Sequence, residues 1–256
     1  MKADKLFNVD GKIALITGST GGLGSLFAMG LAENGCTVIL NSRSRKKVDV
    51  QVNHFKDLGY SVYGYAFDVT NRKEINNAVQ LITEEVGPID ILVNNAGINL
   101  RAPLENFDDE DWDKIIGVNL TGAFNVAKAV VKEMIKKKSG KIINIGSMQS
   151  ELGRPTITPY AASKGGLKML TKGMAVDWAK YNIQVNGIGP GYFKTELTQP
   201  LYENHEFDTW LCSRTPSNRW GEAEELLGAL LFLCSPASSY VNGQMIYVDG
   251  GMLASV

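Results

Sequence analysis

Thr17-Gly18-Ser19-Thr20-Gly21-Gly22-Leu23-Gly24 stands between an apolar run, Lys12 to Thr17, and a helical run from Leu26 to Glu33. The order is strand, glycine turn, helix. Glycines at 18, 22 and 24 permit a sharp turn and a close backbone approach to an anion, and the helix start adds free N–H groups and a favourable dipole. In that setting the stretch reads as a seat for a dinucleotide pyrophosphate, formed by Gly18, Ser19, Thr20, Gly22, Leu23 and Gly24. A plain βα turn is the bland alternative. A P-loop is excluded, because no Gly-Lys-Ser/Thr follows.

Outward from the turn, short apolar runs recur: Thr37 to Leu40, Val62 to Phe67, Ile89 to Val93, Lys141 to Ile145, Ile183 to Asn186 and Met245 to Val248. Between them lie longer stretches with apolar residues three or four apart, such as Ile75, Val79, Ile82 and Val86. This alternation predicts an α/β fold, one parallel sheet of seven strands with helices on both faces. No linker or repeat interrupts it, so residues 1–256 are expected to form a single domain. One long helix is expected to open at Asp108-Asp109-Glu110-Asp111 and close at Lys136-Lys137-Lys138, each charge run complementing the helix dipole.

The chain has 256 residues, 44% hydrophobic and 21% charged, which excludes disorder for most of it. Lys plus Arg number 26 against 27 Asp plus Glu, so no global positive field exists to hold nucleic acid or an anionic membrane. Three cysteines, odd in number and widely spaced, fit a reduced compartment, and two histidines argue against a His-based metal site or a Ser-His-Asp triad. No metal is expected. With no signal-peptide core and no apolar run of membrane-spanning length, a cytoplasmic protein is expected.

The second strand ends Leu40-Asn41-Ser42-Arg43, without the acid that would bind a ribose 2′-hydroxyl and select NAD. Arg43 with Ser42 can take a 2′-phosphate instead. NADP is therefore preferred, with NAD the weaker alternative. Arg45, Lys46 and Lys47 follow at the start of a helix, where cations oppose the dipole unless an anion compensates them. A solvated basic face is the other reading.

Tyr160 and Lys164, in Thr158-Pro159-Tyr160-Ala161-Ala162-Ser163-Lys164, fall one helical turn apart on one face. Thr158 is expected as N-cap, with Pro159 first in the helix. A free phenol titrates near pH 10, and an adjacent ammonium and the helix start are expected to lower that. Alone, Tyr-x-x-x-Lys is a weak signal. The strand before it ends in Gly146-Ser147, which brings a hydroxyl to the ligand side of the sheet. Asn94-Asn95-Ala96-Gly97 closes the fourth strand with small residues, and Asn119, inside the long helix, is either a polar helix residue or a holder of water or of the lysine amine.

In this order and at these intervals, Thr17-Gly-x-x-x-Gly-x-Gly24, Asp68-Val69, Asn94-Asn95-Ala96-Gly97, Asn119, Ser147, Tyr160-x-x-x-Lys164 and Pro190-Gly191 resemble the short-chain dehydrogenase/reductase family over essentially the whole chain. The resemblance implies a Rossmann-type sheet and a catalytic set of Ser147, Tyr160 and Lys164 with Asn119. It also implies adenine at Asp68 and Val69, cofactor against Asn95, Ala96 and Gly97, and nicotinamide flanked by Pro190, Gly191 and Thr195. Tyr160 and Lys164 would touch the cofactor as well. A homotetramer is implied by the family; Gly165 and Gly166, costly inside a helix, call for close packing against the sheet or another subunit.

Ser147 to Arg154, Gly189 to Thr195, Trp210 to Pro216 and Arg219-Trp220-Gly221 are similar to the gluconate-oxidising branch of that family, which implies interconversion of D-gluconate and 5-keto-D-gluconate. A sugar acid needs a cation for its carboxylate and polar groups for its hydroxyls. Arg101, Arg154 and Gln149 are the candidates, with Ser147 and Tyr160 at the reacting carbon and Glu151 a further hydroxyl partner. Each arginine has a surface or interface role as its alternative. Residues 192–220, irregular and rich in aromatics, read either as a lid over substrate or as a static helix pair. Other readings are a 3-oxoacyl-[acyl-carrier-protein] reductase, a deoxy-sugar-acid dehydrogenase and a non-catalytic dinucleotide sensor.

Overall fold

The computed structural model describes residues 2–195 and 198–255 and places the seven apolar runs in one sheet. The strands are β1 (Ile13–Ile16), β2 (Thr37–Ser42), β3 (Val62–Ala66), β4 (Ile91–Asn94), β5 (Gly140–Ile145), β6 (Ile183–Pro190), β7 (Phe193–Lys194), β8 (Gly221–Glu222) and β9 (Met245–Val248). All but β7 and β8, which pair with each other, belong to the large sheet, in the order β3-β2-β1-β4-β5-β6-β9 with every pairing parallel. Ten α-helices are described: α1 (Ala3–Leu6), α2 (Gly22–Glu33), α3 (Arg45–Asp57), α4 (Arg72–Glu85), α5 (Asp109–Ile116), α6 (Ala123–Lys137), α7 (Thr158–Trp178), α8 (Gln199–Tyr202), α9 (His205–Arg214) and α10 (Leu227–Cys234).

Alternation along the strands divides the interior in two. Ala14, Ile16, Val38 and Leu40 face one layer with Phe27 and Leu31 of α2, Phe55 of α3 and Leu230 of α10. Leu15 and Ile39 face the other, with Ile75 and Ile82 of α4, Val126 and Val130 of α6 and Met174 of α7. This is the Rossmann-type, doubly wound arrangement expected from the sequence. Strand order reverses between β1 and β4, so a crevice opens at their carboxyl ends, where ligands bind in such sheets.

Three local expectations need correction. The helix expected from Asp108 to Lys138 is interrupted: Gly117–Gly122 forms a π-helical turn between α5 and α6. Its wider winding, frequent at functional sites, turns Asn119 inward, where it is buried. The N-cap of α7 is Ile157 rather than Thr158, so Pro159 falls second, still among positions whose N–H needs no partner. Finally, the segment after β6 is not irregular. The helix α9, capped by Asn204, and α8 pack around Leu211 and Trp220 with Tyr192, Tyr202 and Phe207 in a small apolar core of their own.

The lysine of β5 is a stability liability that the sequence did not flag. Lys141 reaches the Ser238 hydroxyl at 3.0 Å, and burial brings its ammonium down to about 8. A side chain neutral more readily in the fold than in the open chain costs stability while both forms are charged, below pH 8, and that cost fades between about 8 and the free-lysine value near 10.4. Lys141→Met is expected to raise the melting temperature at pH 7 by a few degrees, with turnover unchanged. Equal melting curves for the two proteins would refute this.

Candidate active site

The two segments flanking the strand reversal are tied to each other. Asn95 donates through Nδ2 to the carbonyls of Thr17 at 3.0 Å and Gly18 at 3.1 Å, while its N–H and that of Ala96 donate to Thr17 Oγ1 at 3.0 and 3.1 Å. Thr17, the first residue of the glycine motif, therefore ties the turn to the end of β4. Gly18 has φ +63° and lies against Ala96. Gly21, the N-cap of α2, contributes no capping side chain, and Gly21 and Gly22 face open space. An uncapped helix start beside a side-chain-free turn fits a dinucleotide pyrophosphate.

Of the expected members, Ser19 differs. Its hydroxyl accepts from Asn41 N–H at 2.9 Å and its N–H donates to Asn41 O at 2.9 Å, so it also braces the turn against β2. Gly24 is where bulk is excluded, since a Cβ there would run into Gly18 O and the Asn95 amide. Gly24→Ala is expected to raise the dissociation constant for the dinucleotide at least tenfold, as overpacking of about 1–3 kcal/mol is relieved by opening the turn. Unchanged cofactor titration would refute that assignment.

Beyond the carboxyl ends of β2 and β3, Arg43 is largely exposed and its guanidinium lies 3.9 Å from the Asp68 carboxylate. Asp68 Oδ1 accepts from Thr70 N–H and Oγ1, both at 2.8 Å, and Val69 is buried against Gly122. Ser42 Oγ is engaged locally, with the backbone of Ser44 at 3.2 Å. Arg43 is thus the exposed, charged member of the pair.

The catalytic candidates come together beyond β4 and β5. Ser147, at the carboxyl end of β5, accepts from Gln149 N–H at 3.1 Å and adjoins the Tyr160 phenol. Lys164 is buried, donates to Ile145 O at 2.7 Å and lies 5.6 Å from the centre of the Tyr160 ring. Gly97 separates Lys164 Nζ from Asn119 Oδ1. The Asn119 amide does not hold the lysine. It accepts from Ile98 N–H at 2.8 Å and donates to Ile98 O at 2.9 Å and Ser163 Oγ at 3.0 Å, fixing the strand end against α7. Ser163 was missed in the sequence, where nothing separates it from any other helical serine. The expected lowering of the phenol does not occur either: desolvation pushes Tyr160 up, and the Ser147 hydroxyl, which favours the phenolate, offsets only part. Burial brings Lys164 down to about 8. Gly166 is packed against the π turn and not the sheet, since Leu120 occupies the space a side chain would take, while Gly165 has only Ser150 O at ordinary contact.

The substrate side is only partly as expected. Gln149 is buried, and its Oε1 has no partner among the described residues. Arg101 is exposed and pairs with no carboxylate among them, while the next residue ties its loop to Thr156 O at 3.2 Å. Arg154, half-buried, donates through Nη1 to the Tyr192 hydroxyl at 2.7 Å and lies over Phe207 at 4.8 Å. Glu151 is turned away, accepting from Lys168 and from Tyr247 Oη. Pro190 is buried, Gly191 sits against Asp249, and Thr195 is bonded to Thr198. Residues 196 and 197 of the expected lid lie outside the described residues. Among the described residues no helix is long and apolar enough to cross a membrane, and no three His, Cys, Asp or Glu side chains gather as a metal cluster would require.

A glycine turn at a strand reversal, a helical Tyr-x-x-x-Lys and a strand-end serine in one crevice define a dinucleotide-dependent oxidoreductase. Residues 12–206 match the short chain dehydrogenase profile, and the chain belongs to that family. It is 52% identical over 251 residues to the 5-keto-D-gluconate 5-reductase of Escherichia coli, covering 98% of this chain and 99% of that one. It is 51% identical over 253 residues to the 2-dehydro-3-deoxy-D-gluconate 5-dehydrogenase of Formosa agariphila, covering 98% and 96%. Among solved structures, a gluconate 5-dehydrogenase from Burkholderia cenocepacia, in complex with NADP and tartrate, superposes with a TM-score of 0.97 at 51% identity over 100% of both chains.

Proposed function

We propose that this chain interconverts D-gluconate and 5-keto-D-gluconate with NADP. The observation that carries the chemistry is the meeting of Ser147, Tyr160 and Lys164 beside Gly97; the likeness to sugar-acid enzymes at about half identity supports the substrate. The turn from Gly18 to Gly24 would hold the pyrophosphate, Arg43 the 2′-phosphate, Asp68 and Val69 the adenine, and Asn95, Ala96, Gly97, Pro190, Gly191 and Thr195 the nicotinamide half. The chemistry that the dinucleotide would supply there is hydride exchange with the carbonyl or alcohol carbon of the substrate. Ser147 orients the reacting oxygen. Tyr160, held protonated by its surroundings, gives its proton to the forming alkoxide and recovers it in the reverse direction. Lys164 supplies positive charge next to the phenol. Gln149, whose Oε1 has no partner among the described residues, would accept a sugar hydroxyl, and Arg101 would meet the carboxylate.

A single domain closed by residues 192–220 and a cytoplasmic homotetramer complete the reading. Exposed Met169 and Val176 on α7 and exposed Trp112 and Phe124 supply apolar faces for other subunits to cover. The neighbouring reading, 2-dehydro-3-deoxy-D-gluconate as substrate, is favoured by the Formosa relative and by further relatives named for the same sugar acid. Purified protein given NADP or NAD with gluconate, 2-deoxygluconate or 2-dehydro-3-deoxy-D-gluconate, and NADPH or NADH with acetoacetyl thioester, decides among them by absorbance of the reduced cofactor, which forms with the sugar acids and is consumed with the thioester. Turnover of the thioester alone would overturn the sugar-acid reading.

Arg43 sets the cofactor. Arg43→Ala is expected to raise KM for NADPH roughly ten- to hundredfold, the worth of charge-assisted hydrogen bonds, and to leave KM for NADH nearly unchanged. Equal changes for both would remove Arg43 from the 2′-phosphate site.

A further inference from the structure

Arg154 lies on the loop between Ser147 and Tyr160, and its guanidinium is enclosed by three rings, 4.8 Å from the centre of Phe207, 5.9 Å from Trp210 and 6.0 Å from Tyr192. Its Nη1 donates to the Tyr192 hydroxyl at 2.7 Å. A guanidinium has donors only, so in this pair Tyr192 must accept. The phenolic hydrogen is then left over, and among the described residues nothing accepts it. Tyr192 itself is rigidly placed. It follows Pro190-Gly191 at the carboxyl end of β6, and its ring packs edge-on against Phe207 and Trp220, both at 5.8 Å between centres. Trp220 is in turn fixed by its indole N–H, which donates to Asp208 at 2.7 Å. Met148, next to the reacting serine, belongs to the same apolar cluster.

We propose that Tyr192 is a substrate-recognising donor for the reaction and that Arg154 is its positioning residue. Arg154 delivers charge to the substrate through the Tyr192 hydroxyl, not by direct contact. Cationic donation to a phenol oxygen polarises its O–H and strengthens the bond it gives onward. The ligand class is an oxygen acceptor, hydroxyl or carboxylate, on the part of the substrate lying toward residues 192–220. The upward push that Tyr192 exerts on Tyr160 fits such closeness to the reacting end. The proposal rests on the reading of the crevice as a carbonyl-reducing site, but not on which sugar acid is reduced.

The test is a double-mutant cycle on the full-length enzyme, run with whichever substrate the wild type turns over best. Tyr192→Phe keeps the ring and its packing and removes only the oxygen. It is expected to raise substrate KM about tenfold, with kcat and the KM for NADPH within about twofold of wild type, a pattern of lost uniform binding. Arg154→Met is expected to do the same in the wild-type background and to add less than twofold in the Tyr192→Phe background. Arg154→Lys, which keeps the charge, should rescue part of the loss if melting curves match the wild type. Losses that multiply, or an Arg154→Met loss persisting in full without the tyrosine oxygen, would show that Arg154 binds the substrate on its own and overturn the proposal. A change in KM for NADPH as large as that for substrate would overturn it too, by revealing a general loosening of the fold. Failure of the sugar-acid reading would appear separately, in the substrate panel, before any variant is made.

Discussion

Tyr160→Phe is expected to cut turnover by about 10²–10⁴-fold, the range that a positioned proton donor contributes, and to leave binding of the reduced dinucleotide within a fewfold of wild type. The basis is that Tyr160 presents a titratable hydroxyl beside Ser147. The Ser147 oxygen already accepts from Gln149 N–H, and Lys164 is directed at Ile145 O. Because desolvation raises the phenol, the enzyme is poised for giving up a proton to an alkoxide, and oxidation of the alcohol is expected to be favoured at higher pH than reduction. Steady-state rates in both directions, with cofactor titration by fluorescence, check all of this. Near-normal rates for the phenylalanine variant would dismiss Tyr160 as the proton carrier.

Lys164→Met separates catalysis from stability. Activity is expected to fall about 10²-fold or more, since the positive charge next to the phenol is gone. Stability without cofactor is expected to move the other way. Burial brings this lysine down to about 8, whereas it titrates near 10.4 in an open chain, so below pH 8 the folded protein carries the full cost of an unwelcome charge. That cost is at most about 3 kcal/mol at 1.36 kcal/mol per pH unit. Losing the hydrogen bond to Ile145 O takes back about 1 kcal/mol. The balance favours the variant by about 1–2 kcal/mol, a rise of roughly 2–8 °C in melting temperature at pH 7. The sign fixes the pH dependence: the wild type gains on the variant as pH rises from about 8 toward 10.4, where both folded and open chains become neutral. A variant less stable than wild type at neutral pH would mean that the ammonium is compensated in a way the Ile145 bond does not capture.

The sheet was legible because both of its layers are written in one-letter alternation: Ala14 and Ile16 against Leu15, Val38 and Leu40 against Ile39. The glycine turn was legible because only a turn against another backbone leaves no room at Gly24. Tyr160 and Lys164 followed from a turn of helix. What stayed hidden depended on contacts between distant segments. Asn119 was identified, but its partners Ile98 and Ser163 lie far off in sequence, and a π turn has no residue code beyond the glycines at its ends. The surroundings of Arg154 were hidden in the same way, because an arginine shows its charge in sequence and not the rings around it. The direction of the Tyr160 shift was misjudged for a related reason. Charge neighbours can be read from spacing, while desolvation depends on everything packed around the ring.

The wide winding at Gly117–Gly122 holds one amino acid more per turn than ordinary α winding, and that surplus has a lasting effect. No exchange of one side chain for another can remove it, since the count of residues between α5 and α6 stays the same. Loss of a single codon there would erase it at once, rotating Asn119 off Ile98 and every later position of α6 by about 100°, the angle one residue subtends in a helix of 3.6 per turn. Descendants of this gene should therefore tolerate many spelling changes in that stretch but no shortening of it.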